Sequence, residues 1–335
     1  HDRVGPAYGR CSQNNTRDAP ASKLMKILLI NPPVSNIMRE SLPPVVEDCT
    51  GTYPALGLLY VAAYAEKVSD CTVEILDCQA EKITHDDVAG RIEAANPDVI
   101  GIQVMTFTAV DSSLVAESAR MAAPRALIVL GGPHPTIFPW ESVMMPGVDA
   151  IVIGEGELIF AELLKSYRAG EPLNRIPGVI TRNSDRKDFD AFQIRYIDNL
   201  DALEIPAYHL IDLSKYSSPM STNRRIITMM SSRGCPFRCI FCDRPQMGKV
   251  FRKKSAEKVF REMRFCVETL GVREIVFYDD TFTVDKQRVL DLCERLIAAD
   301  LNVEWDIRAR VDTMTYEMIV KLRRAGCTRI HYGVE

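Results

Sequence analysis

The sequence predicts an α/β protein in two units: a doubly wound parallel sheet, then part of a parallel barrel. Three observations carry this. Short apolar runs alternate with segments of helical spacing from Lys26 to Gly170, the pattern of successive βα units that pair into a parallel sheet. The alternation lapses over residues 171–225, where prolines and mixed charge dominate, and restarts at Arg225. Each later repeat takes about 30 residues, the length of a βα unit. Finally, 335 residues with 47% hydrophobic and 26% charged side chains suit a globular chain of about two domains.

In the first unit KILLIN (26–31) is a strand closed by Pro32 and Pro33, since proline has no N–H to continue a ladder. LGLLYVAAYAEKV (56–68) has helical spacing, TVEILD (72–77) is a strand, HDDVAGRIEAA (85–95) a helix and DVIGIQV (98–104) a strand. VDSSLVAESARMAA (110–123) is helical, and ALIVLGG (126–132) and VDAIVIGEGE (148–157) are strands running into glycine turns. LIFAELLKSYRAG (158–170) is a helix stopped by Gly170. In such sheets ligands bind beyond the strands' carboxyl ends. That edge carries Asn31-Pro32-Pro33, Gln103-Val104-Met105-Thr106, Gly131-Gly132-Pro133-His134-Pro135 and Gly154-Glu155-Gly156-Glu157. Residues 171–225 read as an extended linker holding the domain boundary, with one hairpin near Val179 and Ile180.

The second unit supplies strands at RIITMMSS (225–232), REIVFYDD (273–280), NVEWDIRAR (302–310) and RIHYGVE (329–335). Helices at SAEKVFREMRFCVETLG (255–271), DKQRVLDLCERLIAA (285–299) and TYEMIVKLRRAG (315–326) separate them. Four strands cannot close a barrel, so this unit reads as the N-terminal part of one and the polypeptide as a fragment. The polar first 24 residues read as a disordered tail ahead of a start at Met25.

The net charge of −4 gives no reason to expect nucleic acid or an anionic membrane. No apolar run approaches the ~18 residues that span a bilayer. Of ten cysteines, Cys71, Cys78, Cys266, Cys293 and Cys327 are scattered, as reduced thiols are in a reducing, cytoplasmic compartment. The remaining concentration is RGCPFRCIFC, which sets Cys235, Cys239 and Cys242 in a loop after a strand. A structural zinc site would need a fourth ligand, commonly from a second cysteine pair. The next candidates, Cys266 inside a helix and His331 on the last strand, are poorly placed. Three thiolates on a four-iron cluster would instead leave one iron open to a small molecule.

Cys235-x-x-x-Cys239-x-x-Cys242, with Phe241 before the last cysteine, resembles the signature of the radical S-adenosylmethionine (SAM) superfamily. That resemblance implies a TIM-type β/α barrel and a [4Fe–4S] cluster whose open iron is chelated by SAM. One electron then cleaves the sulfonium to a 5′-deoxyadenosyl radical. It also implies an external one-electron reductant of flavodoxin or ferredoxin type and a small-molecule substrate. By position, Tyr278-Asp279-Asp280-Thr281 matches the contact to the SAM amino group, Arg308 and Arg310 the carboxylate, Glu335 the ribose and Phe241 the adenine. Asp279 and Asp280 could also be helix N-caps, and Arg308 a surface residue.

The first unit is similar to the flavodoxin-like (Rossmann-like) cobalamin-binding domain of class B, cobalamin-dependent radical SAM enzymes. Gly131-Gly132-Pro133-His134 and Gly154-Glu155-Gly156 carry that likeness, with Gln103 in the place of a Ser-x-Leu element. It implies cobalamin as second cofactor, its tail passing close to the glycines. Domains that supply a histidine to cobalt carry Asp-x-His-x-x-Gly after the first strand. Here Asn31-Pro32-Pro33-Val34-Ser35-Asn36 stands instead, which implies cobalt bound without that histidine. The basic run Arg238, Arg244, Lys249, Arg252, Lys253 and Lys254 reads as a solvated face or an anion-attracting rim. Cys49, Cys71 and Cys78 leave open the second cluster of methylthiotransferases, although Cys71 and Cys78 bracket one strand. The expected domains are 25–170 for cobalamin, 171–225 as linker and 226–335 for the radical SAM core. The implied reaction is methylation of an unactivated carbon; ring-forming cyclisation and a non-catalytic corrinoid module are the alternatives.

Overall fold

The computed structural model describes residues 24–36, 51–185, 194–221, 225–242 and 248–334. Residues 1–23 of the expected tail, Cys49, Arg244 and Glu335 lie outside the described residues. The first unit holds β1 (Met25–Asn31), β2 (Cys71–Asp77), β3 (Val99–Gln103), β4 (Leu127–Gly131), β5 (Ala150–Val152) and β6 (Val179–Thr181). They form one sheet in the order β2-β1-β3-β4-β5-β6. The first five strands run parallel, and β6 joins antiparallel to β5. The chain steps from β1 outward to β2 and back across to β3, so the order reverses beside β1. That reversal opens a crevice at the carboxyl edge.

Parallel sheets are covered on both faces, which demands continuous apolar strands rather than alternating ones. Leu28, Ile30, Ile100, Ile102, Ile128 and Leu130 pack with Val88, Ile92 and Val115 of helices His85–Ala95 and Ala109–Ala122. Ile27, Leu29, Val99, Leu127 and Val129 pack on the other face with helices Leu56–Val68 and Gly156–Ala169. This second core does not stop at the domain. It continues through Ile227, Met229, Val259, Ile275, Phe277 and Trp305 of the second unit.

The second unit holds β7 (Ile226–Met229), β8 (Ser232–Arg233), β9 (Arg252–Lys253), β10 (Glu274–Phe277), β11 (Glu304–Arg310) and β12 (Cys327–Gly333). β7, β10, β11 and β12 are parallel neighbours in chain order, as in a barrel wall. Helices Ala256–Glu268, Lys286–Ala298 and Tyr316–Arg324 begin at N-caps Ser255, Asp285 and Thr315, whose side chains accept from Lys258, Arg288 and Met318 N–H groups. Asp279 and Asp280 are therefore not the caps of the helix that follows them. Trp305 is fully buried between Phe277 and Phe282, each 5.8 Å away, and its indole N–H donates to Ala325 O at 2.8 Å. Truncating such a side chain typically costs about 3–5 kcal/mol.

Residues 171–225 differ from the expected extended connector. Val179–Thr181 pairs with β5 across the helix between them instead of closing a local hairpin. The stretch from Ile197 to Tyr216 is a packed strap: Ile197, Leu200, Leu203, Ala207, Tyr208 and Tyr216 are buried. Tyr208 OH donates to Thr228 O at 2.6 Å and Tyr216 OH to Asp77 at 2.9 Å. Its apolar residues have no strand or helix period because 3₁₀ turns, two of them capped by Asn199 and Asp212, set their direction. No helix among the described residues is long and apolar enough to cross a membrane.

Candidate active site

The cysteine loop leaves β7 and is pinched at its base by the short β8–β9 ladder, in which Ser232 faces Lys253 and Arg233 faces Arg252. Gly234 turns the chain with φ of 80°, a conformation that costs glycine little. The Cys235 N–H donates to Gly248 O, and the Cys242 N–H to Cys239 O. Cys235 Sγ lies 3.8 Å from Thr281 Oγ1. Arg310 Nη1 donates to Cys239 Sγ at 3.3 Å, with its guanidinium 4.1 Å above the Phe237 ring. Asp312 holds that guanidinium through two hydrogen bonds, at 3.0 and 2.8 Å. Cys242 and Phe241 are exposed at the tip, Phe241 by 78%. Among the described residues no three His, Cys, Asp or Glu side chains converge on a site for a single metal ion. Ligating sulfurs of an iron–sulfur cluster bond different irons, so they need not converge.

The carboxyl ends of the neighbouring strands meet this loop. The Tyr278 ring lies 4.8 Å from the Arg308 guanidinium and 6.1 Å from Tyr53 of the first unit. Burial pushes the Tyr278 hydroxyl up to about 12. Arg308 is exposed, and its Nη1 donates to Phe277 O at 3.1 Å. Asp280 is exposed at the rim, where desolvation by the surrounding walls and then the Asp279 charge raise its pKa. Asp279 is different: it is fully buried and accepts from Ser231 N–H and Oγ at 2.6 Å and from Ser232 Oγ at 2.5 Å. Arg288 binds Ser231 Oγ from the other side. Asp279 thus anchors the start of the cysteine loop, and its oxygens are turned away from a ligand's reach.

At the first edge Asn31 donates to Asp77 at 2.8 Å and no histidine follows β1. Gln103 is half-buried at the end of β3. A Cβ built on Gly131 meets nothing within 4 Å, so that side of the edge is open. Gly132 and Gly154 are needed for internal reasons. Both have positive φ, and a Cβ would meet Val104 O at 3.0 Å or Ile194 Cγ2 at 2.6 Å. His134 lies in the first turn of helix Pro133–Ile137 and is only 3% exposed, yet neither ring nitrogen has a hydrogen-bond partner. Burial lowers its pKa and keeps the ring neutral. An unpaired buried imidazole is costly.

Glu155 and Gly156 follow β5 as the sequence implied, but both face protein neighbours. A Cβ on Gly156 would come within 3.1 Å of Val61. Glu155 is buried and accepts from Arg252 at 2.7 and 3.0 Å and from Ile197 N–H at 2.7 Å. Its carboxylate is spent on protein partners. The basic run also differs from a solvated face: Arg252 and Lys254 are buried, and Lys254 binds Glu262 and Tyr60. Their buried acidic partners lie 97 residues away for Arg252 and eight residues on for Lys254, so charge counting along the run could not find them. The sequence did not reveal Arg310 as a donor to a cysteine, 71 residues away, or Arg233 as an ion-pair partner; only for Arg233 was adjacency to the cysteine motif a signal.

Two family models match, a B12 binding domain over residues 43–164 and the radical SAM superfamily over residues 229–335. The chain belongs to the cobalamin-dependent radical SAM family. It is 35% identical to an uncharacterized methyltransferase of Pyrococcus horikoshii, over 93% of this chain and 66% of that one. It is 28% identical to the anaerobic magnesium-protoporphyrin IX monomethyl ester cyclase of Rubrivivax gelatinosus, over 86% of this chain and 53% of the relative. This chain therefore spans about half to two thirds of those relatives. Among solved structures its fold resembles the cobalamin-dependent SAM radical enzyme OxsB with aqua-cobalamin and SAM bound, at TM-score 0.71 and 21% identity, covering 93% of this chain and 44% of that one. It also resembles the radical SAM methyltransferase TsrM from Kitasatospora setae, at TM-score 0.70 and 18% identity, over 93% and 61%.

The cofactors of the family are cobalamin, SAM and a [4Fe–4S] cluster, and the residues fit them. A guanidinium donating to Cys239 suits a thiolate ligand, and the three thiols are reduced. The orphaned His134 nitrogens beside the open Gly131 suit a polar cofactor at the first edge.

Proposed function

We propose that this chain is the cofactor-binding part of an enzyme that cleaves SAM reductively and methylates an unactivated carbon of a small molecule. The observation that carries the reading is the cysteine loop at the carboxyl end of a parallel strand, with Arg310 donating to Cys239. When bound, the cluster and SAM supply one-electron cleavage of the sulfonium, and the corrinoid supplies a methyl carrier. Cys235, Cys239 and Cys242 hold the cluster. Arg308 offers its guanidinium to the SAM carboxylate, since Arg pairs with carboxylates in two parallel bonds. Tyr278 backs that guanidinium with its ring, and Asp280 is placed to accept from the SAM amino group. Gln103, Gly131 and His134 take the corrinoid, His134 through a hydrogen bond to its tail.

In this reading the cobalamin domain is 25–170 with the strand 179–181 added, the strap follows, and the SAM core begins at 226. An external flavodoxin- or ferredoxin-type reductant and a reducing, cytoplasmic compartment go with the buried thiols. Burial pushes Cys78, Cys293 and Cys327 up to about 12, which keeps them protonated and inert.

The test is anaerobic reconstitution with iron, sulfide and cobalamin, followed by reduction in the presence of SAM. Release of 5′-deoxyadenosine together with a corrinoid absorbance band is expected. A corrinoid-bound protein that never releases 5′-deoxyadenosine would leave only a binding module. A second reading, oxidative ring closure, is favoured by the likeness to the cyclases. Product mass separates the two, because cyclisation adds no methyl group.

A further inference from the structure

The cysteine loop is exposed at its tip, where Ile240, Phe241 and Cys242 have little cover. Its geometry must therefore be set at its base, and the base is held by the first unit. Glu155 and Glu157 flank Gly156 at the start of helix Gly156–Ala169. Glu155 takes Arg252 in a two-bond pair and lies 3.3 Å from Arg233; Glu157 takes Arg233 at 2.5 Å. Arg233 and Arg252 face each other across the β8–β9 ladder, one on each leg of the loop. The four side chains are 4–6% exposed. Tyr60 lies 5.3 Å from the Arg233 guanidinium and Tyr196 4.8 Å from that of Arg252. Two carboxylates and two guanidiniums balance, so no buried charge is left over. Such a cluster tolerates little displacement, because moving one member strands another in a poorly solvated site.

We propose that Glu155 and Glu157 are positioning residues that grip both legs of the cysteine loop and so fix where its three thiols stand. Cys235 lies two residues beyond Arg233, so a shift of the ladder is passed directly to the first thiol. The Gly-Glu-Gly-Glu stretch then couples the corrinoid unit to the cluster loop instead of cradling the corrinoid. This rests on reading Cys235, Cys239 and Cys242 as cluster ligands.

The test compares the anaerobically reconstituted chain with its Glu155→Gln, Glu157→Gln and Glu157→Asp variants. Corrinoid stoichiometry, the EPR signal of the reduced cluster with and without SAM, and SAM affinity are measured. We expect wild-type corrinoid stoichiometry in all variants. In both Gln variants we expect an altered cluster signal and SAM binding weakened about 10- to 100-fold, the scale of a ~1 Å misplacement. Glu157→Asp keeps the charge with a shorter reach and should fall between. Should a Gln variant fail to fold, Glu157→Asp decides alone. A wild-type signal and SAM affinity in Glu157→Asp and every soluble Gln variant would overturn the proposal. So would lost corrinoid with an unchanged cluster signal, which would make these residues cofactor contacts. A wild-type chain that forms no SAM-responsive cluster would instead sink the reading of the cysteines, and the clamp with it.

Discussion

The two parallel sheets both end in carboxyl edges, yet the edges differ in charge. The first presents Asn31, Gln103, Gly131 and a neutral, unpaired His134, while its acidic residues Glu155 and Glu157 turn to Arg252 and Arg233. The second presents Arg308, Arg310 and Asp280 beside three thiols. A reversal of strand order makes the crevice in the first, and parallel strands in chain order gather their loops at the carboxyl ends in the second; side chains decide what suits each. A weakly charged edge with open backbone suits a large neutral ring system with polar appendages. A cationic edge with thiolates suits a metal cluster and a zwitterion.

Six changes would break or sharpen this contrast. Cys239→Ala should abolish the cluster absorbance and all SAM cleavage while leaving corrinoid stoichiometry unchanged, which spectra of one reconstituted sample can read. Arg308→Ala should weaken SAM binding about 10- to 100-fold, the worth of a charged hydrogen-bonded pair. Equilibrium dialysis with labelled SAM measures it, and an unchanged affinity would move the carboxylate contact elsewhere. His134→Phe should weaken corrinoid binding about tenfold, a typical worth for one hydrogen bond, and leave SAM affinity alone. Gly131→Ala should fold as wild type, since its Cβ meets nothing, whereas Gly132→Ala should lose roughly 1–3 kcal/mol in chemical denaturation from its positive φ. Arg310→Gln should lower the cluster midpoint potential by on the order of tens of millivolts, because hydrogen bonds to ligand sulfur raise it.

A smaller effect concerns pH. His134 has a folded pKa below its unfolded value, so the unfolded chain binds more protons between them. Its contribution is intact above the unfolded pKa of about 6.5 and is lost as pH falls through that window. His134→Phe should flatten that part of the stability profile, read by thermal melts of the corrinoid-free protein.

Much of this was legible in the chain. Helix Leu56–Val68 and strand Cys71–Asp77 follow from apolar period and end within one residue of the reading, because their packing faces are encoded locally. The cysteine spacing is likewise local, and it placed the three thiols in a loop between β8 and β9. The strap was not legible: its buried residues follow irregular turns, and their partners, such as Asp77 for Tyr216, are remote in sequence. Asp279 was read as a ligand contact because it ends a strand, yet two serines of the neighbouring strand's exit claim its oxygens.

By itself, then, the sequence determined the two βα units, their strand edges, the thiol triad and the family they imply. These are set by periodicities and spacings within about 30 residues, the span of one βα unit. The tertiary structure decided which polar groups face a ligand and which face each other. Glu155 and Arg252 are 97 residues apart and form a buried pair. No local pattern encodes such a meeting, because it depends on how two units dock and on the cost of burying either charge alone.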